Sequence, residues 1–334
     1  MALMSEYQPQ INPWFVAHKR FSTVGVALCV MLAFWVGLNI VCGGIVVSLF
    51  PSGDYPAWVS LLASSGPLYA VAMPLAVLAM GNVPALETKR FNLGAKRFFT
   101  LLVICLPVIY LGNIIGTVLS DLIFGGQSTN RVAEVILDSD PVSVFVFYVV
   151  LAPICEEWLF RKQIIDRTRR YGEKTAILLS ALTFALFHLN LYQFFYAFGL
   201  GLVFGYVYMR TSRVRYSMIM HAVVNFNGSI LGPWVLSQVD SRLLTGELSE
   251  ADMMRVAADP SSGLLIVGLY GLALFALLIV GVALMVTNRR KLEFYTTPEQ
   301  LPDGLGARTA FGNPGMVVYI LFALVLTVWQ MALV

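Results

Sequence analysis

Nine stretches of this chain stay apolar long enough to cross a lipid bilayer, for which about twenty residues suffice. They lie near residues 22–49, 57–82, 98–124, 141–160, 174–190, 192–209, 216–236, 263–287 and 314–333. The runs are continuous rather than alternating. A chain in lipid must satisfy its backbone internally, so the pattern predicts helices and not a barrel. The fifth and sixth runs are short and joined tightly through Asn190 to Gln193. The expected fold is therefore an all-α, polytopic transmembrane bundle of about nine spans, or eight if those two count as one. In the sixth run, Gly199, Gly201 and Gly205 put small residues at helical spacing, which suits close helix packing. The first run is longer than a signal-peptide core and lacks a small-residue cleavage site, so it reads as a retained span.

Composition agrees with this pattern. Of 334 residues, 58% are hydrophobic, mean hydropathy is +0.77, and charged residues make up 12%. That last share is about half the usual value for soluble chains, too little polar surface to cover a core of this size. The segments follow one another with short gaps, which favours one bundle. Within it the expected regions are N-terminal helices (1–140), a central core (141–232), and an external loop with C-terminal helices (233–334). Cys29, Cys42, Cys105 and Cys155 all sit inside apolar runs and form no CxxC pair, so they read as packing residues.

Charge sets the orientation. With the N-terminus cytoplasmic, the inner segments hold 19 of the 22 basic residues, and only Arg131, Arg242 and Arg255 fall outside. Positive charge resists translocation, so this asymmetry predicts a cytoplasmic N-terminus, an outer C-terminus and a multi-pass protein of the cell membrane. The net charge of +3 carries no nucleic-acid signal, and basic helix ends suit anionic lipid headgroups. The largest external segment, 237–262, reads as a surface helix or flexible cap, and the inner loop 288–313 as irregular.

Ionisable residues inside the spans are few and concentrated. The fourth span contains Glu156 and Glu157, each costing several kcal/mol within an apolar helix. His188 ends the fifth run, and His221 and Asn225 lie in the seventh. Glu157 and Arg161 are four apart and can pair on one face, while Glu156 points elsewhere. His221 and Asn225 share a face by the same spacing, and Phe184 lies one turn from His188. Glu156 and His188 are equidistant in sequence from Gly172, at the tip of the charged hairpin between spans four and five. Spacing thus predicts that Glu156, His188 and His221 meet at one depth in the cytoplasmic half of the membrane, with a cavity open to the cytoplasm. A Glu–Arg pair or a single buried histidine is commonly structural. The convergence of several is what points to function.

Glu156-Glu157-x-x-x-Arg161, Phe184-x-x-x-His188 and His221-x-x-x-Asn225 resemble, in order and on separate helices, the three motifs of the CAAX protease and bacteriocin-processing (CPBP/Abi) family. That family includes type II CAAX prenyl endopeptidases. The resemblance covers roughly residues 141–232. It implies a peptide-bond hydrolase in which Glu156 activates water, helped by His188. His221 and Asn225 would stabilise the oxyanion, and Glu157, Arg161 and Phe184 would support the site. A peptide or membrane-protein substrate near the cytoplasmic face is then the expected partner. The chemistry is consistent, because apolar burial moves carboxylates towards neutral pH, where a general base works. No cofactor is required. Zinc held by Glu156, His188 and His221 is the alternative, although no H-E-x-x-H helix exists, and the metal-free reading is preferred. Two further readings stay open. One is a proton-coupled transporter, which would call for inverted repeats or broken helices. The other is a catalytically silent scaffold or immunity protein of the same family.

Overall fold

The structure, a computed structural model, describes residues 13–332 apart from 127, 241, 244–248, 250, 251, 255 and 257–262. Among the described residues the chain is helical, with no strand. In order the helices are α1 (Pro13–Leu49), α2 (Ala57–Ala79), α3 (Ala95–Phe124), α4 (Arg131–Asp138), α5 (Pro141–Tyr171) and α6 (Glu173–Phe187). Then follow α7 (Leu191–Thr211), α8 (214–236), α9 (Leu264–Lys291), α10 (Leu305–Phe311) and α11 (Pro314–Ala332). Seven of these, α1, α2, α3, α5, α7, α9 and α11, are long and apolar enough to cross a membrane. The protein is a multi-pass membrane protein.

The expected spans 174–190 and 216–236 are helices too, but they differ from the rest. α6 has only 15 residues, and α8 dilutes its apolar residues with His221, Asn225, Asn227 and Ser229. His188 caps the C-terminus of the first and His221 lies within the second. α1 begins at Pro13, earlier than the apolar run, because Trp14 to Phe21 continue the helix into the polar zone. The inner loop holds α10 and is only partly irregular. Most of 237–262 lies outside the described residues.

Three helices contain wide π-helical turns, at Leu68–Ala72, Phe145–Leu151 and Asn227–Leu231, and each is followed within two residues by a proline: Pro74, Pro153 and Pro233. The cause is local. Proline has no N–H, so the carbonyl four residues back is left over, and the N–H one residue later reaches it across five residues. A fourth wide turn, Trp158–Ile165, follows Glu157 directly.

Packing centres on α7, which lies against α3 and α6, while α1 pairs with α11. Small residues permit the close approach. A Cβ on Gly201 would meet the Ala181 Cα at 2.8 Å, and one on Gly116 would meet the Leu191 carbonyl oxygen at 2.7 Å. Gly199 likewise faces Val108 and Gly205 faces Ile177, so the glycine pattern does serve helix contact.

One end of the bundle gathers the basic side chains. Arg20 donates to the Tyr171 hydroxyl at 2.5 Å and Arg97 to that of Tyr206 at 2.7 Å. Arg169 donates to the Met209 carbonyl at 3.0 Å, Arg170 pairs with Glu299 at 3.0 Å, and Arg210 pairs with Glu173. The segments that the charge pattern assigns to one side of the membrane therefore meet at one end of the fold.

Candidate active site

Glu156 sits midway along α5, roughly 22 Å from either end at about 1.5 Å per residue. Its neighbour Glu157 turns away from it and is fully buried. Arg161 Nε donates to Glu157 Oε2 at 3.0 Å and Nη2 to Oε1 at 3.3 Å, a two-point pairing one helical turn apart. The same guanidinium donates to Ser180 Oγ at 2.7 Å and lies 4.6 Å above the Phe184 ring. Ser180 in turn donates to the Phe160 carbonyl at 2.7 Å. Every polar atom of this plug has a partner, as a fully buried ion pair requires.

His188 caps the C-terminus of α6, where its Nδ1 lies 2.8 Å from the Phe184 carbonyl oxygen. That oxygen can only accept, so Nδ1 carries the proton and Nε2 faces outward with a lone pair in the neutral ring. The turn behind it is tight. Leu189 adopts a left-handed φ of 51°, and Asn190 accepts from the Tyr192 N–H at 2.8 Å to start α7. A non-glycine residue in that conformation stores backbone strain, a common mark of a held functional side chain. Phe184 meets the His188 ring edge-on at 4.8 Å between centroids.

His221 comes from α8. Its Nδ1 donates to Glu157 Oε1 at 3.2 Å, and its Nε2 is 3.9 Å from Glu156 Oε2. The ring is stacked on Phe204 at 5.5 Å and meets Phe184 edge-on at 5.8 Å. Asn225, one turn further, spends one amide N–H on the Tyr148 carbonyl at 2.8 Å and keeps the other. Glu156, His188, His221, Asn225 and Phe184 all line one cavity of about 860 Å³. Glu157 and Arg161 lie behind it. Tyr69, from α2, turns its hydroxyl towards the Glu156 carboxyl. Nothing in the sequence points to Tyr69, Phe204 or Ser180, because a lone tyrosine, phenylalanine or serine in an apolar helix has no local signature.

The cavity does not open where the helix spacing puts its mouth. On the basic side, Glu157, Arg161 and Ser180 are each 0% exposed and close the floor. The wall extends the other way, to Asn130 and Ala133 of the α3–α5 connection and to Pro233 and Gln330 near the ends of α8 and α11. Distance from the nearest charged loop fixes the depth of a residue, but not the side of it on which a cavity forms.

A metal fits this arrangement poorly. Glu156, His188 and His221 are the right ligand types, but among the described residues no three His, Cys, Asp or Glu side chains are grouped closely enough to hold an ion.

Comparison with known proteins adds family context. Residues 138–227 match the Rce1-like family, described as type II CAAX prenyl endopeptidase Rce1-like. The membrane-embedded CAAX protease MroQ of Staphylococcus aureus (strain USA300) is 30% identical over 136 residues, covering 38% of this chain and 54% of that protein. The chain thus spans about half the length of that curated relative. No solved structure matches.

Proposed function

We propose that this chain, which belongs to the CAAX protease family of membrane proteases, is an intramembrane endopeptidase with Glu156 as its general base. The observation that carries the reading is the convergence of Glu156, His188 and His221 from three helices on one cavity, with each histidine fixed through Nδ1.

Glu156 takes a proton from a water molecule, and the water oxygen attacks the peptide carbonyl carbon. The carbonyl π electrons move onto oxygen. Collapse of the tetrahedral intermediate breaks the C–N bond, and the protonated Glu156 returns its proton to the leaving amine. The lone pair on His188 Nε2 accepts a hydrogen bond from the same water and orients it. The free N–H of Asn225 faces the developing oxyanion. His221 can add a second donor there only as an imidazolium, because its Nδ1 proton is committed to Glu157. Glu157 and Arg161 hold that ring in register, the role that outer partners play around many catalytic groups.

The test uses the full chain purified in nanodiscs against a peptide library. Wild type cleaves, whereas Glu156→Gln and His188→Ala lose most activity while keeping the wild-type melting profile. Equal cleavage by all three, or none by wild type, removes the assignment. Chelator treatment of the active protein is a separate arm, in which retained activity supports the metal-free route.

A further inference from the structure

Two features of the fold bear on the side from which the site is reached. The first is the polarity of the bundle. Contacts between Arg20 and Tyr171, Arg169 and Met209, and Arg170 and Glu299 bring the basic helix ends together. An end carrying that much positive charge stays in the cytoplasm. The second is the shape of the site. Its floor towards the basic end is the solvent-free Glu157–Arg161–Ser180 plug, and among the described residues none of the cavity wall comes from the basic helix ends. The wall climbs instead past Tyr148, Asn113 and Gln193 to α4 and Gln330 at the opposite end.

The chemistry of the wall limits what can enter. It combines aromatic and aliphatic side chains with amides and hydroxyls such as Asn39, Ser64, Asn113 and Gln193. Histidines apart, the only acidic or basic side chains among its described residues are Glu156 at the base and Arg131 at the rim. A charged side chain carried down this shaft would lose water without gaining a partner. An extended uncharged backbone would find hydrogen-bonding groups along the way. The volume lies towards the upper end of the roughly 300–1,000 Å³ of ligand pockets, enough for a peptide segment rather than a single residue.

We propose that the substrate is an uncharged peptide segment presented at the extracytoplasmic face, entering the cavity past α4 and reaching Glu156 from above. This deepens the endopeptidase reading and rests on it for the word substrate, while the direction of access stands on the fold alone. The two are therefore tested apart.

For access, single cysteines are placed by Gln193→Cys in the shaft, Lys89→Cys at the basic end and Asp54→Cys at the opposite end, in the full chain in intact cells. A membrane-impermeant maleimide added outside is expected to label Gln193→Cys and Asp54→Cys above the wild-type background and to spare Lys89→Cys. Labelling of Lys89→Cys but not Asp54→Cys overturns the orientation. Labelling of Asp54→Cys with Gln193→Cys reactive only in inverted vesicles, or in neither preparation, overturns the outward opening. For substrate class, quenched fluorescent octapeptides tethered to dextran are offered to right-side-out and inverted vesicles and to detergent-solubilised protein. Expected is cleavage of uncharged octapeptides in right-side-out vesicles only. A central Lys or Asp should reduce it by about 10²-fold, the partition penalty for a buried charge. Cleavage confined to inverted vesicles, or equal for charged and uncharged peptides, sinks the substrate proposal and leaves the protease. Absence of cleavage even in detergent sinks the protease and the substrate class together, and the maleimide result still decides the access route.

Discussion

At the basic end, Arg20, Arg97, Arg169, Arg170 and Arg210 reach tyrosines, carbonyls and carboxylates on neighbouring segments, in settings that run from exposed at Arg97 and at Glu299, the partner of Arg170, to buried side chains at Arg169 and Arg210. At the other end the described wall of the cavity is built mainly from amides, hydroxyls and aromatic rings, with Glu156 and the two histidines at its base and Arg131 at its rim. Between them lies the Glu157–Arg161 pair, as charged as the basic end and as dry as the core. The same ion-pair chemistry therefore appears in two dielectric settings. Where water reaches it, as at Glu299, it fastens loops at little energy. Inside the bundle it is costly to form, and removing one partner is costlier still.

That contrast is open to direct attack. The largest effect is expected at Glu156, whose carboxylate is faced by His221 at 3.9 Å rather than by an arginine. Glu156→Gln should lower peptidase turnover by about 10²–10⁴-fold, as loss of a general base does, with the melting temperature unmoved. A large melting shift would make Glu156 a packing residue instead. Next comes the dry pair. Arg161→Met leaves a buried carboxylate uncompensated and should cost about 3–5 kcal/mol of stability, read by thermal unfolding in detergent. Adding Glu157→Gln should restore much of it, and failure to restore would show that the arginine acts through packing alone. Tyr69→Phe removes one hydroxyl facing Glu156. It should change turnover by an amount worth about 0.5–1.5 kcal/mol without altering the fold. The smallest effect belongs to the basic end. Arg170→Gln breaks a pair whose carboxylate side chain is 39% exposed, and stability should move by no more than about 1 kcal/mol, less in high salt. A loss there as large as that of Arg161→Met would erase the distinction between the two ends.

Much of the fold was legible because bilayer chemistry constrains the chain so strongly. Continuous apolar runs became helices, and charged loops marked one end. Of the two runs that fell short as spanning helices, α6 stops after 15 residues at Phe187, just before His188, and α8 has its hydrophobic signal diluted by His221, Asn225, Asn227 and Ser229. The glycines of α7 announced close packing for a similar reason, since nothing else in lipid rewards small residues. The site was legible in its members, because ionisable groups inside spans stand out, and in the pairing of Glu157 with Arg161, because i,i+4 spacing leaves little choice. Tyr69 and Phe204 were not, since contact between distant helices leaves no mark in either one.

By itself, the sequence determined that this is a helical membrane protein, which end is basic, and which residues are too polar to be there by accident. These follow from one-dimensional facts: run length, charge order and residue spacing. The tertiary structure alone decided that both histidines are fixed through Nδ1, that Tyr69 joins them, and that the cavity lies on the side away from the basic loops. Those outcomes depend on which helix faces meet and on where a buried ion pair closes the space between them. Spacing along one helix cannot encode a void shared by several.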